Sequence, residues 1–208
     1  GSELYVVLCN TSTDDVLVPT DVLTGVFFDI AGDPTLTRVS AVILGDSSVL
    51  FAPATDAFGN PIAGGTYAGG NVGAEFAYGA PIAGPNGSSQ GISAAGLGLF
   101  GPGDRFDTVG DLQAPAGVGG LNYGITSAGD DPTTGNTPVT GAVALIQNCV
   151  VFTFTGISDT FSAFDFYNIS FQYGTGLDEP NVPGEFCVTC PPPPPPFAPP
   201  YKTSVAPV

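Results

Sequence analysis

The four cysteines are the residues of this chain best suited to covalent chemistry. Cys9 and Cys149 each lie in a run of strand-forming residues. Cys187 and Cys190 are separated by two residues and are followed by six prolines. An even number of cysteines in a chain with a single lysine and many Gly, Thr and Asn residues favours disulfides in an oxidising compartment. We expect Cys9 to pair with Cys149 and Cys187 with Cys190; the alternative is a tail cysteine bonded to another subunit.

The absence of histidine excludes several classes of site. Without His the chain cannot build a Ser-His-Asp or Cys-His catalytic centre, a His-ligated metal site or a bis-histidine haem. Proline rather than histidine follows Cys190, which excludes a c-type haem attachment, and the prolines prevent the helix that a thioredoxin-like site requires. Zinc on all four cysteines is disfavoured because two ligands would lie in strands. Paired carboxylates for glycoside hydrolysis are the enzymatic alternative, but chance pairs are expected among 19 acids, and we predict a protein that is not an enzyme.

Acidic clusters are the other groups able to bind a ligand. Ca²⁺ takes about six to eight oxygens from carboxylates and loop carbonyls, which Gly-rich loops can supply. The clusters in this chain are Asp14 with Asp15, Asp104 with Asp107, Asp130 with Asp131, and Asp178 with Glu179. None has EF-hand or nonapeptide spacing, and ordinary turn aspartates are the alternative at each. Asp104, Asp130 and Asp131 are the best candidate calcium ligands, and no other cofactor is indicated.

Three Asn-X-Ser/Thr sequons provide a further type of candidate site. They begin at Asn10, Asn86 and Asn168, and they matter only if the source organism glycosylates its proteins. Chance occurrence in a chain rich in Asn, Ser and Thr is the alternative.

Composition limits the partners and the location of the chain. A formal net charge of −16 repels nucleic acid and anionic lipid, so neither is expected as a partner. The chain is 43% hydrophobic and 11% charged, which is too apolar for intrinsic disorder. No apolar run reaches the ~18–20 residues that span a bilayer, so we expect no membrane insertion. The lack of Met indicates a processed or trimmed chain. A secretory signal peptide cleaved before Gly1 fits this pattern, and a Gly-Ser remnant of cloning is the alternative.

Short strand-like runs between Gly- and Pro-rich turns predict an all-β fold. Thirty glycines and 21 prolines disfavour long helices. The predicted strands and shorter apolar pieces are 3–9, 23–30, 36–44, 48–51, 73–78, 96–100, 121–126, 148–155 and 164–173, and only 140–147 favours a short helix. We predict a sandwich or jelly-roll of short antiparallel strands over residues 1–186, with long Gly/Pro-rich loops, followed by an extended Cys- and Pro-rich tail over 187–208.

Several phrases in the chain together resemble one bacterial family. The phrases are Leu-Thr-Gly-Val-Phe-Phe-Asp-Ile at 23–30, the Gly-rich segment 90–106, Tyr-Gly-Ile-Thr-Ser-Ala-Gly-Asp-Asp at 123–131, and the strand-like runs 148–154 and 169–175. In this order they are similar to exosortase-dependent, PEP-CTERM-type surface proteins, over residues ~4 to ~183. The resemblance implies a Sec-secreted, β-rich protein of the bacterial cell surface or biofilm matrix, without established catalytic residues. Such proteins usually end in a Pro-Glu-Pro-like motif, a hydrophobic helix and a basic cluster, whereas here the cysteine pair and the proline tail follow Pro183.

The tail has the properties of a segment that binds a sheet edge. Residues 191–208 span roughly 55 Å when extended, whereas a domain of this size has a radius of gyration of about 16 Å. Tyr201, Thr203 and Val205 alternate as in a strand, which favours addition to an exposed edge. Lys202, the only lysine, would bring a positive charge to an acidic neighbour. The candidate assembly residues are Pro191, Phe197, Tyr201, Lys202 and Val205.

These observations lead to two functional hypotheses. The leading one is a secreted structural subunit that self-assembles head-to-tail into an extracellular filament or sheath, with the tail packed on the neighbouring subunit. The alternative is a non-polymeric surface or biofilm-matrix module that binds extracellular polysaccharide or depends on Ca²⁺, with the tail as a spacer.

Overall fold

A computed structural model of the chain describes residues 2–51, 70–108, 110–115 and 117–185. Within these ranges the chain is mostly β and forms an all-β sandwich of antiparallel sheets. The strands are β1 (Ser2–Cys9), β2 (Leu23–Ile30), β3 (Thr37–Ile43), β4 (Ser48–Leu50), β5 (Ala77–Gly79), β6 (Gln90–Ser93), β7 (Ile125–Thr126), β8 (Leu145–Gln147), β9 (Cys149–Ile157), β10 (Phe166–Tyr173) and β11 (Asn181–Pro183). Short 3-10 turns lie at Pro19–Asp21, Pro85–Gly87, Pro102–Asp104 and Ala163–Asp165, and a π-helical turn at Pro138–Ala142.

The first sheet has three strands in the order β1-β9-β3, with both outer strands antiparallel to β9. β9 carries the strongest alternation in the sequence, and its Val150, Phe152 and Phe154 side chains belong to the main core. A strand paired on both sides can bury a complete row of side chains, which explains why this segment is the clearest strand in the sequence.

The second sheet follows the order β11-β10-β2-β7-β8-β4, and β6 joins β5 to β2 beside this path. Its pairs are antiparallel except β7 with β8, where Ile125 lies opposite Ile146 in a parallel register. β2 is buried along its whole length because both of its faces are covered. Phe28 contributes to the main core, whereas Phe27 packs with Phe100 in a separate cluster.

Aromatic contacts join the two sheets across the main core. The ring centroid of Phe152 in β9 lies 5.1 Å from that of Phe76, and that of Phe154 lies 5.0 Å from that of Tyr78 in β5. Both pairs meet edge-to-face, a favourable arrangement for aromatic rings. The core is therefore the space between the sheets, as predicted for a sandwich.

The prediction of a short helix over 140–147 is wrong. Residues 138–142 form one π-helical turn, and Leu145–Gln147 are strand β8. Ile146 is drawn into the sheet because it pairs with both Ile125 in β7 and Val49 in β4. β6 and β11 are not predicted from the sequence, because their residues are too few to show a period.

A disulfide between Cys9 and Cys149 closes the last pair of the β1–β9 ladder. Their Cα atoms are 4.2 Å apart, and 140 residues separate them in the sequence. This half of the predicted pairing is confirmed, whereas Cys187 and Cys190 lie outside the described residues. A cross-link that closes so long a loop removes much of the conformational entropy of the unfolded chain.

We expect the double variant Cys9→Ser with Cys149→Ser to lose about 2–5 kcal/mol of unfolding free energy. Chemical denaturation of the wild type and the variant, each with and without a reducing agent, measures this loss. The reductant should destabilise the wild type and leave the variant unchanged. Equal sensitivity of both proteins to the reductant would show that another cysteine pair carries the effect.

Candidate functional site

The outer edge of β1 is the main candidate site. β1 ends its sheet, with β9 on one side and no strand of the described residues on the other. The Asn10 N–H donates to the Asn148 carbonyl oxygen at 3.0 Å, which makes Cys9 and Cys149 a non-hydrogen-bonded pair of the ladder. Pair types alternate along an antiparallel ladder, so Val7 and Val151, two residues earlier, are also a non-hydrogen-bonded pair. The backbone N–H and C=O of Val7 and Cys9 therefore point away from β9.

Within the described residues, this edge lacks most of the features by which proteins usually protect edge strands. Such edges are short or carry Lys, Pro or a bulge. β1 has eight residues without Lys or Pro, and its register irregularity is confined to its first residues, between Ser2 and Leu4. Its one charged side chain is Glu3. An open strand of this kind can accept the backbone of another strand.

The other sheet edges are better protected. β4, β5 and β11 have three residues each, and β11 ends in Pro183. β3 is partly covered, because the Val72 N–H donates to the Ala41 carbonyl oxygen at 2.9 Å and Val42 forms a bridge with Asn71. Among the described strands, β1 therefore offers the longest open edge.

The predicted residues of the tail cannot be compared with this edge. Cys187, Cys190 and the candidate assembly residues Pro191, Phe197, Tyr201, Lys202 and Val205 lie outside the described residues. Their roles stay predictions.

The predicted calcium ligands are not assembled into one group. Asp130 and Asp131 lie in the loop after β7, where the Asp131 N–H donates to Asp15 at 2.9 Å. Asp104 instead caps its own turn by accepting from the Gly101 N–H at 2.7 Å. No group of three or more His, Cys, Asp or Glu side chains in the described ranges is arranged to hold a metal ion.

The three sequons differ in accessibility. Asn10 is buried, whereas Asn86 and Asn168 are exposed and lie next to each other. The Asn168 side-chain amide donates to the Asp29 carboxylate at 2.9 Å and to the Asn86 carbonyl oxygen at 3.3 Å. The nitrogen that would carry a glycan is therefore already engaged in holding β10 to β2.

Glu75 is a buried carboxyl group that the sequence analysis did not single out. Its side chain is 0% exposed. Oε1 accepts the backbone N–H of Leu112 at 2.6 Å and of Gln113 at 2.9 Å, whereas Oε2 has no hydrogen-bond partner among the described residues. The one available signal in the sequence was an acidic residue inside the apolar piece 73–78.

The charges around Glu75 do not neutralise it. Arg105 forms an ion pair with Asp111, and Asp111 also accepts the Gly117 N–H at 2.6 Å. The Arg105 guanidinium group is thus bound to Asp111, and Glu75 forms no ion pair with a described residue. Burial, against the hydrogen bonds from Gln113 and Leu112, raises the pKa of Glu75 from 4.5 to about 7. The hydrogen bonds of Glu75 fasten the backbone at 112–113 to the core.

Comparison of the chain with protein-family models, with curated proteins and with solved structures finds no match. The PEP-CTERM-type resemblance therefore stays an expectation from the sequence. No helix of the described residues is both long and apolar enough to cross a membrane.

Glu75 should make the folded chain less stable as the pH rises. The folded state binds this proton more tightly than the unfolded state does, so the stabilisation is complete below about pH 4.5 and is lost as the pH rises through about 7. The pKa difference corresponds to roughly 3 kcal/mol. Because the chain has no histidine, few other groups titrate in this window.

Glu75→Gln removes the titration and keeps an oxygen that can accept both N–H groups. We expect the stability of this variant relative to the wild type to increase from about pH 5 to about pH 8, as measured by denaturation at several pH values. Glu179→Gln is the matched control, because Glu179 also accepts two backbone N–H groups but is partly exposed. Parallel pH curves for Glu75→Gln and the wild type would contradict the assignment.

Proposed function

We propose that this chain is an extracellular structural subunit that self-assembles by strand addition, the C-terminal tail of one copy pairing with β1 of the next. The open edge of β1 is the observation that carries the proposal. Eight residues of one strand offer a continuous acceptor, and backbone hydrogen bonds supply affinity without requiring a particular side chain at each position.

Charge favours the tail as the occupant of this edge. Subunits with a net charge of −16 repel one another, whereas residues 191–208 contain Lys202 and no acidic residue. The exposed Glu3 at the start of β1 adds a negative group to the edge. A donor with a positive charge and a polar, alternating sequence therefore suits an acceptor on an acidic subunit.

Geometry favours pairing between copies. The described fold ends near β11, in the second sheet, whereas β1 belongs to the first sheet. Residues 191–208 would span roughly 55 Å in an extended conformation, which is long enough to reach a neighbouring molecule. Contact between two different surfaces of identical subunits repeats without closing, which yields a filament or sheath.

The remaining features agree with a structural role outside the cell. The Cys9–Cys149 disulfide suits an oxidising compartment. The buried acids Glu75 and Asp111 bind backbone groups and Arg105, so they support the fold instead of facing a substrate. We accordingly propose a subunit that is not an enzyme, located at the cell surface or in a biofilm matrix.

Val7→Pro tests the acceptor strand. Proline removes the N–H that points away from β9 and leaves the β1–β9 hydrogen bonds intact, so the variant should fold. Loss of one interstrand bond and the bulk of the ring should raise the critical concentration for assembly about tenfold or more. Sedimentation and electron microscopy at several protein concentrations measure the critical concentration. Val7→Thr keeps a β-branched side chain and the N–H, and it should assemble like the wild type.

Deletion of residues 191–208 tests the donor strand. The truncated chain should stay monomeric and keep the melting temperature of the wild type, because the described strands form the sandwich from residues 2–183. Assemblies of unchanged form from the truncated chain would exclude the tail as the donor. A full-length chain that stays monomeric at all concentrations would overturn self-assembly and favour the surface-binding module instead.

A further inference from the structure

Two loops at one end of the sandwich are held together by their backbones. The loop after β1 and the loop after β7 are joined by hydrogen bonds from the Ala128 N–H to the Asn10 carbonyl oxygen at 3.0 Å and from the Gly129 N–H to that of Ser12 at 3.1 Å. They approach so closely that a Cβ atom at Gly129 would lie 2.1 Å from the Thr13 carbonyl oxygen. The positions of the side chains on these loops are therefore tightly fixed.

This contact brings two carboxylates together. Asp15 accepts the Asp131 N–H at 2.9 Å and a hydrogen bond from the Thr134 hydroxyl group, and Asp130 Oδ1 accepts the Val16 N–H at 3.2 Å. These contacts place the two carboxyl groups close enough for each to shift the pKa of the other. Burial, and after it the charge of Asp15, raises the pKa of Asp130, although the hydrogen bond from the Val16 N–H opposes this.

Two buried oxygens at this point lack a partner. Asp130 is 8% exposed and Thr126 is 0% exposed. Neither Asp130 Oδ2 nor Thr126 Oγ1 forms a hydrogen bond of normal geometry with any described residue, although the Thr126 hydroxyl group lies close enough to lower the pKa of Asp130. Buried polar atoms are rarely left unsatisfied in native structures, so a ligand or proton is expected here.

No basic side chain of the described residues neutralises the pair. Arg105 is bound to Asp111, and Arg38 lies in β3, opposite Phe154 of β9. The two neighbouring carboxyl groups and the buried hydroxyl oxygen thus require a cation from solution or a shared proton.

We propose that Asp15, Asp130 and Thr126 bind a calcium ion, with loop carbonyl groups and water completing its coordination. Ca²⁺ accepts oxygen ligands in irregular geometry from loops, whereas Mg²⁺ requires a near-octahedral set and keeps much of its water. This site differs from the set predicted from the sequence. Asp104 caps a separate turn, and the Asp131 carboxylate accepts the Thr133 N–H at 3.0 Å. The ion fastens the loop that leaves β1 to the loop between β7 and β8, independently of any assembly.

The full chain, first treated with a chelator, tests the site by thermal unfolding and calorimetric titration with Ca²⁺ alone and Mg²⁺ alone. We expect Ca²⁺ to bind with one site per chain at millimolar or lower concentration. At 100-fold excess over the dissociation constant it should raise the melting temperature by about 5–10 °C, whereas Mg²⁺ should have a much smaller effect. A melting temperature unchanged by Ca²⁺, without heat of binding, overturns the proposal.

Three variants test the named ligands. Asp130→Asn and Asp15→Asn should lose most of the calcium response, and Thr126→Val, which removes only the hydroxyl oxygen, should weaken binding while keeping the fold. Asp46→Asn removes the same charge from an exposed position and should respond to Ca²⁺ like the wild type. Loss of the response in Asp46→Asn as well would indicate general charge screening and contradict the site.

The effect of pH on stability distinguishes a shared proton from a bound calcium ion. If Asp15 and Asp130 share a proton and bind no ion, acidification should stabilise the wild type more than Asp130→Asn, which keeps only the contribution of Glu75, with no calcium effect in either protein. That result would overturn the proposal. If Asp130→Asn fails to fold, Thr126→Val and the calorimetry of the wild type still decide the question.

Discussion

The scarcity of positive charge is the constraint on which much of this structure depends. The chain has 19 acidic and three basic residues, and the described residues contain one ion pair, between Arg105 and Asp111. Every other carboxylate that approaches the interior must be stabilised by N–H groups, hydroxyl groups, protons or ions from solution. Asp29 is an example of a carboxylate stabilised by N–H and hydroxyl groups. Burial alone would raise its pKa, but hydrogen bonds from Asn168 and Ser89 lower it overall, so it stays charged while it joins β2 to β10.

The same constraint bears on association. Strongly acidic subunits cannot associate through large charged surfaces, because their fields repel at distances up to the Debye length of about 8–10 Å. Strand addition avoids this difficulty, since its affinity comes from backbone groups that carry no net charge. The open edge of β1 is therefore a contact suited to a protein of this composition.

The sequence predicts those parts of the fold in which one segment carries its own signal. Residues 23–30 and 148–155 can be predicted as strands because each carries a row of apolar side chains that fills the core. Both are central strands of the structure. β7, β8 and β11 have two or three residues, and they are strands only because a partner lies beside them. The helix predicted over 140–147 failed for this reason, since local preference gave way to pairing with Ile125 and Val49.

The candidate sites, like the strands, can be predicted from the sequence only where a segment carries its own signal. Cys9 and Cys149 could be paired from the sequence because both lie in strand-like runs. Asp130 was recognised as a candidate ligand, but its neighbour Asp15 lies 115 positions away in the sequence, and only the contact between two loops brings them together. Both features act on β1, since the disulfide fixes its last residue and the loop contact begins at the next, Asn10. A strand held so firmly at one end keeps its register, and an acceptor ordered in advance loses little entropy when a second strand pairs with it. The covalent and polar contacts around Cys9 thus favour the same property, a rigid edge, that strand addition requires.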